Sequence, residues 1–453
     1  MLKQENLQQL YHQRVLELIS RFRNKIMILN ERKLLFYLFF AVLILRSLYV
    51  FLTKSHLNGA YEDYEVIANN IVAGNGYSAS PGYYWHNRVE PTAMMAPFYT
   101  YYYALAKYLF GATPNSYLFI HLGQALVSAL SLVLVLKISK EIFDQFTAFL
   151  TSLLFLLLPI YSHYIAQSNE ATISLFFYLL FVYLSLSFAD GHSWRKAIIL
   201  GVATGFGILN TPVLFAALPV SFLYLVLLGK NDHLQTLKTI FLIMFIGAII
   251  VSPWMVRNYL IFNKVVFKNS AGVTFWYGNN KFANGTESYP FTPIEYFYND
   301  PEIRKAYPFV NQIESLNEAE RDELFQAEAI AFIKNNPAKA VVLVFKKAFF
   351  FWILDPYKVT STSPKWQDQS VREVLIKLYF LTNILFVLLL LISIFLLYRS
   401  RGLDIHRMFV LLFCLSISSV YIMSAVGMIR FKLPLEPFVQ MFSMYTLSFL
   451  LRR

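Results

Sequence analysis

Residues 60–111, AYEDYEVIANNIVAGNGYSASPGYYWHNRVEPTAMMAPFYTYYYALAKYLFG, follow the first long apolar run of the chain and place Glu62, Asp63 and Glu65 just beyond it. A cluster of acids where a chain leaves a bilayer is costly to keep and often marks chemistry. The plain alternative is a solvated loop whose charges do nothing. Within the stretch, 61–73 reads as a short helix with Tyr64, Ile67 and Ile71 along one side and Glu62, Glu65 and Asn69 along another. Gly74-Asn75-Gly76 ends it, because glycine accepts the left-handed cap. Residues 94–110 are apolar and rich in tyrosine. The next apolar run starts only a few residues later, with no positive charge between, so 94–110 is expected to lie in the interface rather than to cross.

The rest of the chain makes this a membrane reading. Of 453 residues, 57% are hydrophobic and only 15% charged, against about a quarter charged in soluble domains. That length accommodates roughly ten spans of about 20 residues and one sizeable aqueous region. The expected class is an all-α polytopic membrane protein with about ten transmembrane helices, interfacial helices and a small mixed extracytoplasmic region. The net charge of +12 fits cytoplasmic anchoring better than nucleic acid, for which no motif is present. The lone Cys414 excludes an internal disulfide and a thiolate metal cluster. The first apolar run begins near Leu34, behind a long basic segment, and reads as a retained anchor rather than a cleaved signal.

Residues 1–33 carry seven Lys and Arg among apolar residues at helical spacing, the pattern of a basic amphipathic helix on the cytoplasmic membrane surface. A transmembrane region over 34–257 then includes an external loop at 54–115. Spans are expected at 34–53, 116–136, 146–164, 171–189, 197–211, 213–229 and 239–257. Basic residues fall at alternate turns: Lys137 and Lys140, Arg195 and Lys196, Lys230 and Lys238. Residues 258–374 form an extracytoplasmic region with a polar helix near 317–335. A second interfacial helix is expected at 338–354, where Lys346 and Lys347 interrupt an apolar run. The segment 375–453 supplies three last spans, at 375–398, 408–427 and 433–451, separated by Arg399, Arg401 and Arg407 and then by a short external turn with Arg430 and Lys432. Both termini are thereby cytoplasmic. Gly201 and Gly205 stand at the spacing that lets two helices approach closely.

Three external features can converge: the acids at 62–65; the cations Arg88, Arg257, Arg430 and Lys432; and Glu170, at the outer end of a span. A carboxylate at the outer face can take a proton from an acceptor hydroxyl or amine. Cations beside it can stabilise a departing phosphate, Arg through its planar fork. Each part has a plainer reading. Arg257 can snorkel to the interface, Arg430 and Lys432 can anchor topology, and Glu170 can cap its helix. The histidines show no ligand spacing, and a divalent cation, if one binds, would have to use carboxylates alone.

EDYEVIANNIVAGNGYS (62–78), PTAMMAPFYTYYYALAKYLFG (91–111), SPWMVRNYLIFNKVVF (252–267) with FWYGNN (275–280), EAIAFIKNNPAKAVVLVFKKAFFFWI (328–353) and IRFKLPLEPF (429–438) resemble bacterial members of the GT-C glycosyltransferases. They are most similar to those grouped with the protein O-mannosyltransferases and the lipid A aminoarabinose transferases. The resemblance implies an inverting enzyme of the inner or plasma membrane. It would move a sugar from a polyprenyl-phosphate donor to an acceptor glycan, lipid or protein on the outer face. It also implies an acidic base in the first external loop, best matched by Asp63 or Glu62, with Arg257 first among the residues holding the donor phosphate, helped by Arg88, Arg430 or Lys432. In that family the acidic pair stands a few residues before a tyrosine, whereas Glu62-Asp63 abuts Tyr64, so Glu65 and Glu90 stay open as the base. A transporter or flippase for a lipid-linked sugar is the alternative, but paired halves and midplane charges are not evident. A non-catalytic assembly protein is a third reading, with no positive signal.

Overall fold

The computed structural model describes residues 30–57, 62–81, 88–191, 193–229, 232–285, 301–353, 369–424 and 429–451, together with Arg21, Asn24, Ile26 and His86. Most of the amphipathic helix expected over 1–33, Thr286 and residues 289–300 lie outside them. The first span, α1 (Glu31–Thr53), starts where the Asn30 side chain accepts from the amides of Arg32 and Lys33. Its inner stripe is Leu34, Leu38, Val42, Arg46 and Val50, one residue per turn or so, while Phe36, Tyr37, Ile44 and Leu52 face outward, as a lipid-facing helix requires.

After α1 come the short helix α2 (Glu62–Val72) and a two-stranded antiparallel ribbon of β1 (Ser78–Ala79) and β2 (Glu90–Pro91). Helix α3 (Pro97–Phe110) has 14 residues and is about 21 Å long, short of the ~30 Å hydrocarbon core. This agrees with the interfacial placement. Then follow α4 (Pro114–Ile142), α5 (Gln145–Leu157), α6 (Pro159–Ile165), α7 (Ala171–Leu186), α8 (Trp194–Asn210), a 3₁₀ run Pro212–Ala217 leading into α9 (Leu218–Leu228), and α10 (His233–Phe262). The middle of the chain holds α11 (Ala271–Gly278), α12 (Pro301–Ala306), α13 (Glu318–Asn335) and α14 (Pro337–Trp352). The chain finishes with α15 (Gln369–Arg399), α16 (Ile405–Met423), α17 (Ile429–Lys432), a 3₁₀ turn Leu433–Leu435 and α18 (Glu436–Leu450).

Among the described residues each of the ten expected spans falls on helical structure, though 146–164 is a bent pair, 213–229 begins as a 3₁₀ run, and the end of 408–427 lies outside them. Six helices among the described residues are long and apolar enough to cross a membrane, or seven if α5 and α6, bent by 53°, count as one. The other three, α8, the Pro212–Leu228 run and α18, are shorter. The bend falls at Leu158-Pro159, where proline cannot donate to the helical ladder. Arg46 supplies what the break lacks: its Nη2 donates to Phe155 O at 2.7 Å, and Nη1 to the Ser162 hydroxyl.

Helices α8 and α10 pack backbone to backbone. A Cβ on Gly201 would meet Ile243 O at 2.9 Å, and one on Gly205 would meet Ile250 Cβ at 2.8 Å. Only glycine permits that approach, and in lipid such close van der Waals packing is what holds helices together. The two ends of the bundle are distinct. Lys140 pairs with Glu31, Arg407 Nε donates to Ile142 O at 2.7 Å, and Tyr224 meets His406 at 2.7 Å. These gather at one end. Helices α2, α3, α11 and α13, the ribbon and the 165–170 turn gather at the other.

Candidate active site at the loop end of the bundle

Helix α2 turns Tyr64, Ile67 and Ala68 into the protein, leaving Asp63 half-buried beside them. The Tyr64 ring meets Tyr99 of α3 edge-on at 4.8 Å. Its hydroxyl donates to Glu170 Oε2 at 2.6 Å. The next acid, Glu65, is committed elsewhere: it accepts from Lys107 Nζ at 2.5 Å and Tyr117 Oη at 2.6 Å, a buried knot joining α2, α3 and α4. Glu62 begins the helix, and its side chain lies outside the described residues.

Glu170 is presented by the 165–170 turn, whose backbone is pinned from below. Gln124 Nε2 donates to Ile165 O and Gln167 O, each at 2.8 Å, while Gln124 Oε1 accepts from Tyr99. His121 bridges Ser55 and Ser168 at 3.1 and 3.2 Å. Glu170 occupies the N-cap position of α7 but makes no side-chain capping bond. The hydrogen bond to Tyr64 across the cleft replaces the capping role that its place in the sequence suggests. The positive end of α7 still favours the carboxylate electrostatically.

Opposite the acids stands Lys268, which the sequence reading passed over. Both of its neighbours are nailed down: Phe267 O accepts from Trp254 Nε1 at 2.8 Å, and Asn269 N donates to Ala93 O at 2.9 Å. Protein surrounds the ammonium, yet part of the side chain stays accessible, as for a group lining an internal cleft. Burial pulls its pKa below the ordinary lysine value, opposed by the fields of Glu170, Asp63 and Asp322 and reinforced by Arg430. Lys268 therefore has Asp63, Glu170 and Arg430 as electrostatic neighbours. Arg430 stands on α17, its guanidinium over the Phe431 ring at 4.8 Å. Tyr421, near the end of α16, lies in the fields of both Glu170 and Arg430. Asp63, Glu170 and Arg430, from three distant parts of the chain, thus lie within electrostatic range of Lys268.

The remaining candidates serve other contacts. Arg257 Nη1 donates to Thr92 O at 2.7 Å and Nη2 to Tyr77 O at 2.6 Å, with the guanidinium over the rings of Tyr77 and Trp254. Its planar fork closes the 77–92 loop onto α10. Glu318, at the start of α13, clamps the same loop by accepting from Thr92 Oγ1 at 2.6 Å, Ala93 N at 2.7 Å and Asn269 Nδ2 at 3.0 Å. His86 lies buried between Glu318 at 3.1 Å and Glu90 at 2.8 Å. Burial lowers its pKa, but the hydrogen bonds to the two carboxylates outweigh that and the net displacement is upward. Arg88 is exposed and pairs with Glu90 at 3.6 Å. Lys432 is buried against Glu436 at 3.2 Å and also donates to Trp352 O at 3.1 Å. Among the described residues, no three His, Cys, Asp or Glu side chains come together as a metal-binding group.

Residues 94–256 match the family model for dolichyl-phosphate-mannose-protein mannosyltransferase. That segment contains Glu170 but not the acids at 62–65, Lys268 or Arg430. No curated protein matches the chain in sequence. Among solved structures, the archaeal oligosaccharyltransferase AglB from Archaeoglobus fulgidus, in complex with an inhibitory peptide and a dolichol-phosphate, is 15% identical over 91% of this chain and 50% of its own, with a TM-score of 0.51. The same oligosaccharyltransferase with zinc and sulfate gives 15% identity, 90% and 49% coverage, and a TM-score of 0.51. ArnT from Cupriavidus metallidurans bound to undecaprenyl phosphate gives 15% identity, 90% and 77% coverage, and a TM-score of 0.42. The chain spans about half the length of the AglB chains it matches. At these identities the likeness is one of fold.

Proposed function

We propose that this chain, an all-α membrane protein with the GT-C glycosyltransferase fold, moves a sugar from a polyprenyl-phosphate donor to an acceptor hydroxyl or amine at the outer membrane face. The observation that carries the reading is that Asp63, Glu170 and Arg430 all act electrostatically on Lys268 at the loop end of the bundle, where Tyr64 fixes Glu170. A base and a leaving-group cation must face one another across the anomeric carbon, and this group has both signs of charge. The dolichol-phosphate bound by AglB and the mannosyl-phosphate lipid in the family description support a lipid-phosphate donor.

In this mechanism Asp63 takes the acceptor proton, with Glu62 beside it in sequence. The acceptor oxygen or nitrogen bonds to the anomeric carbon from the face opposite the phosphate. The bond from that carbon to the phosphate oxygen breaks, and polyprenyl phosphate departs with the electron pair against Lys268 and Arg430. The configuration inverts. Glu170, fixed by Tyr64, holds Lys268 toward the phosphate. Arg257 holds Tyr77 and Thr92 onto α10, and the phosphate falls to the other cations. The basic residues at the far end of the bundle support cytoplasmic termini and an outward-facing site.

The test is analysis of envelope glycolipids and glycoproteins from cells with and without the protein, followed by reconstitution with the product so identified. Asp63→Asn is expected to abolish transfer while the protein still accumulates in membranes. Translocation of a lipid-linked sugar in proteoliposomes, with no covalent transfer, would establish the transporter reading instead.

A further inference from the structure

The two lysines that interrupt the apolar run of α14 have no part in the chemistry above. Lys347 is the one turned inward. It lies on the buried stripe Ala340, Leu343, Lys347 and Phe351, while Val341, Val342, Phe345 and Phe349 face outward. Its Nζ lies within hydrogen-bond reach of Gly278 O at 3.2 Å, Asn279 Oδ1 at 3.2 Å, Met423 O at 3.1 Å and Ser424 O at 3.0 Å. An ammonium has three N–H groups, so one is shared between acceptors. Each acceptor is a neutral oxygen. Three of them are carbonyls at the C-terminal ends of α11 and α16, where helices leave carbonyls unpaired and carry partial negative charge. Asn279 reinforces the junction by donating from Nδ2 to Phe275 O at 2.8 Å and Met423 O at 2.9 Å.

What hangs on this junction gives it a purpose. Helix α11 is a rod of about 12 Å. Its other end is held by Asp322, which accepts from Gly272 N at 3.0 Å and Val273 N at 2.9 Å. Lys268 stands three residues before Ala271, where that helix begins. Arg430 follows α16 in the chain, on the next described helix. The Lys347 junction therefore joins the helix that follows Lys268 in the chain to the helix that precedes Arg430.

We infer that Lys347 is a positioning residue that sets the spacing between Lys268 and Arg430, and so the grip of the cleft on a lipid phosphate. The inference rests on the proposed donor, and its test separates the two. The full chain in nanodiscs is titrated with a polyprenyl phosphate and with the polyprenol of equal length. Hydrogen exchange is followed in parallel for peptides covering 271–281 and 418–434. Lys347→Met is expected to weaken polyprenyl-phosphate binding by about tenfold, the scale of one lost charge-assisted hydrogen bond. Polyprenol binding should not change, and exchange should rise in both peptides together. Lys347→Arg, which keeps the charge, should recover most of the affinity. Asn279→Ala, a milder cut in the same junction, should move both readouts in the same direction and serves if the methionine variant does not fold. Faster exchange with unchanged phosphate affinity would overturn the positioning role, and unchanged exchange would overturn the junction itself. A wild-type protein that binds polyprenol as well as polyprenyl phosphate would remove the proposed donor, and with it anything for Lys347 to position, even where exchange upholds the junction.

Discussion

The Tyr64 hydroxyl donates to Glu170 Oε2 at 2.6 Å, joining α2 to the turn before α7. Tyr64 also packs edge-on against Tyr99, so ring and hydroxyl do separable work. Tyr64→Phe keeps the packing and deletes the bond. Transfer is expected to fall by about tenfold, the cost of one hydrogen bond to a charged group, with little change in melting temperature. Glu170→Gln should cost at least as much. The double variant should be no worse than Glu170→Gln alone, because both changes break one interaction. Additive losses in kcat/KM would show that the two residues act independently.

The charge arrangement around Lys268 sets a second expectation. If Lys268 and Arg430 receive the departing phosphate, Lys268→Met should lower kcat by roughly 10²- to 10³-fold, the range for removal of one transition-state stabiliser. Asp63→Asn should cost about 10²- to 10⁴-fold, as for loss of a general base. The variants differ in a second readout: Lys268→Met weakens binding of the product polyprenyl phosphate, whereas Asp63→Asn leaves it nearly intact. Equal loss of product binding in both would place Asp63 outside the proton-transfer step.

How much of this was legible in the sequence depends on the range of the interaction concerned. The short helix at 62–72, its glycine stop and the helices at 97–110 and 337–352 are local patterns, and they could be read directly. The span elements could be read as well, but not their lengths. Pro159 marks the break at Leu158-Pro159 in the sequence, but that Arg46 takes up the carbonyl it frees, and that Gly201 lets α8 approach α10, appear only in the fold. Asp63, Glu170 and Arg430 could be named as candidates because acids and cations at membrane exits are rare. Lys268 escaped notice because one lysine in a polar loop carries no signal until the fold pins both its neighbours. Arg257 shows the converse. It looks like a phosphate ligand in sequence, yet its guanidinium lies against two carbonyls of a loop some 165 and 180 residues away.

A histidine within that loop makes its attachment sensitive to pH. His86 faces Glu318 from α13 and Glu90 from β2, with Arg88 paired to Glu90 and Arg257 in the field of Glu318. Its pKa is raised on folding. A raised value means that the stability it contributes is present in full below the ordinary histidine value of 6.5 and fades as pH climbs through the higher folded value. The melting temperature of the wild-type protein should therefore exceed that of His86→Gln by about 2–4 °C near pH 6, and the gap should narrow at alkaline pH. A gap independent of pH would mean that His86 acts through packing alone.

The contact between α8 and α10 offers a test that does not involve the site. Gly201→Leu would drive a side chain into Ile243 O and Ile246, where even a Cβ approaches to 2.9 Å. Overpacking of this kind costs roughly 1–3 kcal/mol. The protein should be less thermostable in detergent, while the fraction that remains folded keeps its kcat. Gly247→Ala is the matched control, because a Cβ there meets its nearest neighbour, Gly201 O, at an ordinary 3.6 Å. Equal destabilisation by the two variants would remove close helix approach as the explanation.

Arg257 separates a loop-holding role from a phosphate-holding one. Two nitrogens of one rigid fork reach the carbonyls of Thr92 and Tyr77, which lie on different segments of the loop. Lysine keeps the charge but presents a point donor, and it cannot reproduce that span. If the fork holds the loop, Arg257→Lys should lower the melting temperature and expose the 77–92 loop to proteolysis, while polyprenyl phosphate still binds within about threefold of wild type, a difference under 1 kcal/mol. If the charge instead meets the phosphate, lysine should preserve loop protection and the loss should appear in the affinity for polyprenyl phosphate and its dependence on salt. The closed geometry favours the first outcome: a guanidinium that already satisfies two carbonyls and lies against two aromatic faces would have to abandon them, at a cost of about 1.5–3 kcal/mol for each charged hydrogen bond, before it could reach a ligand.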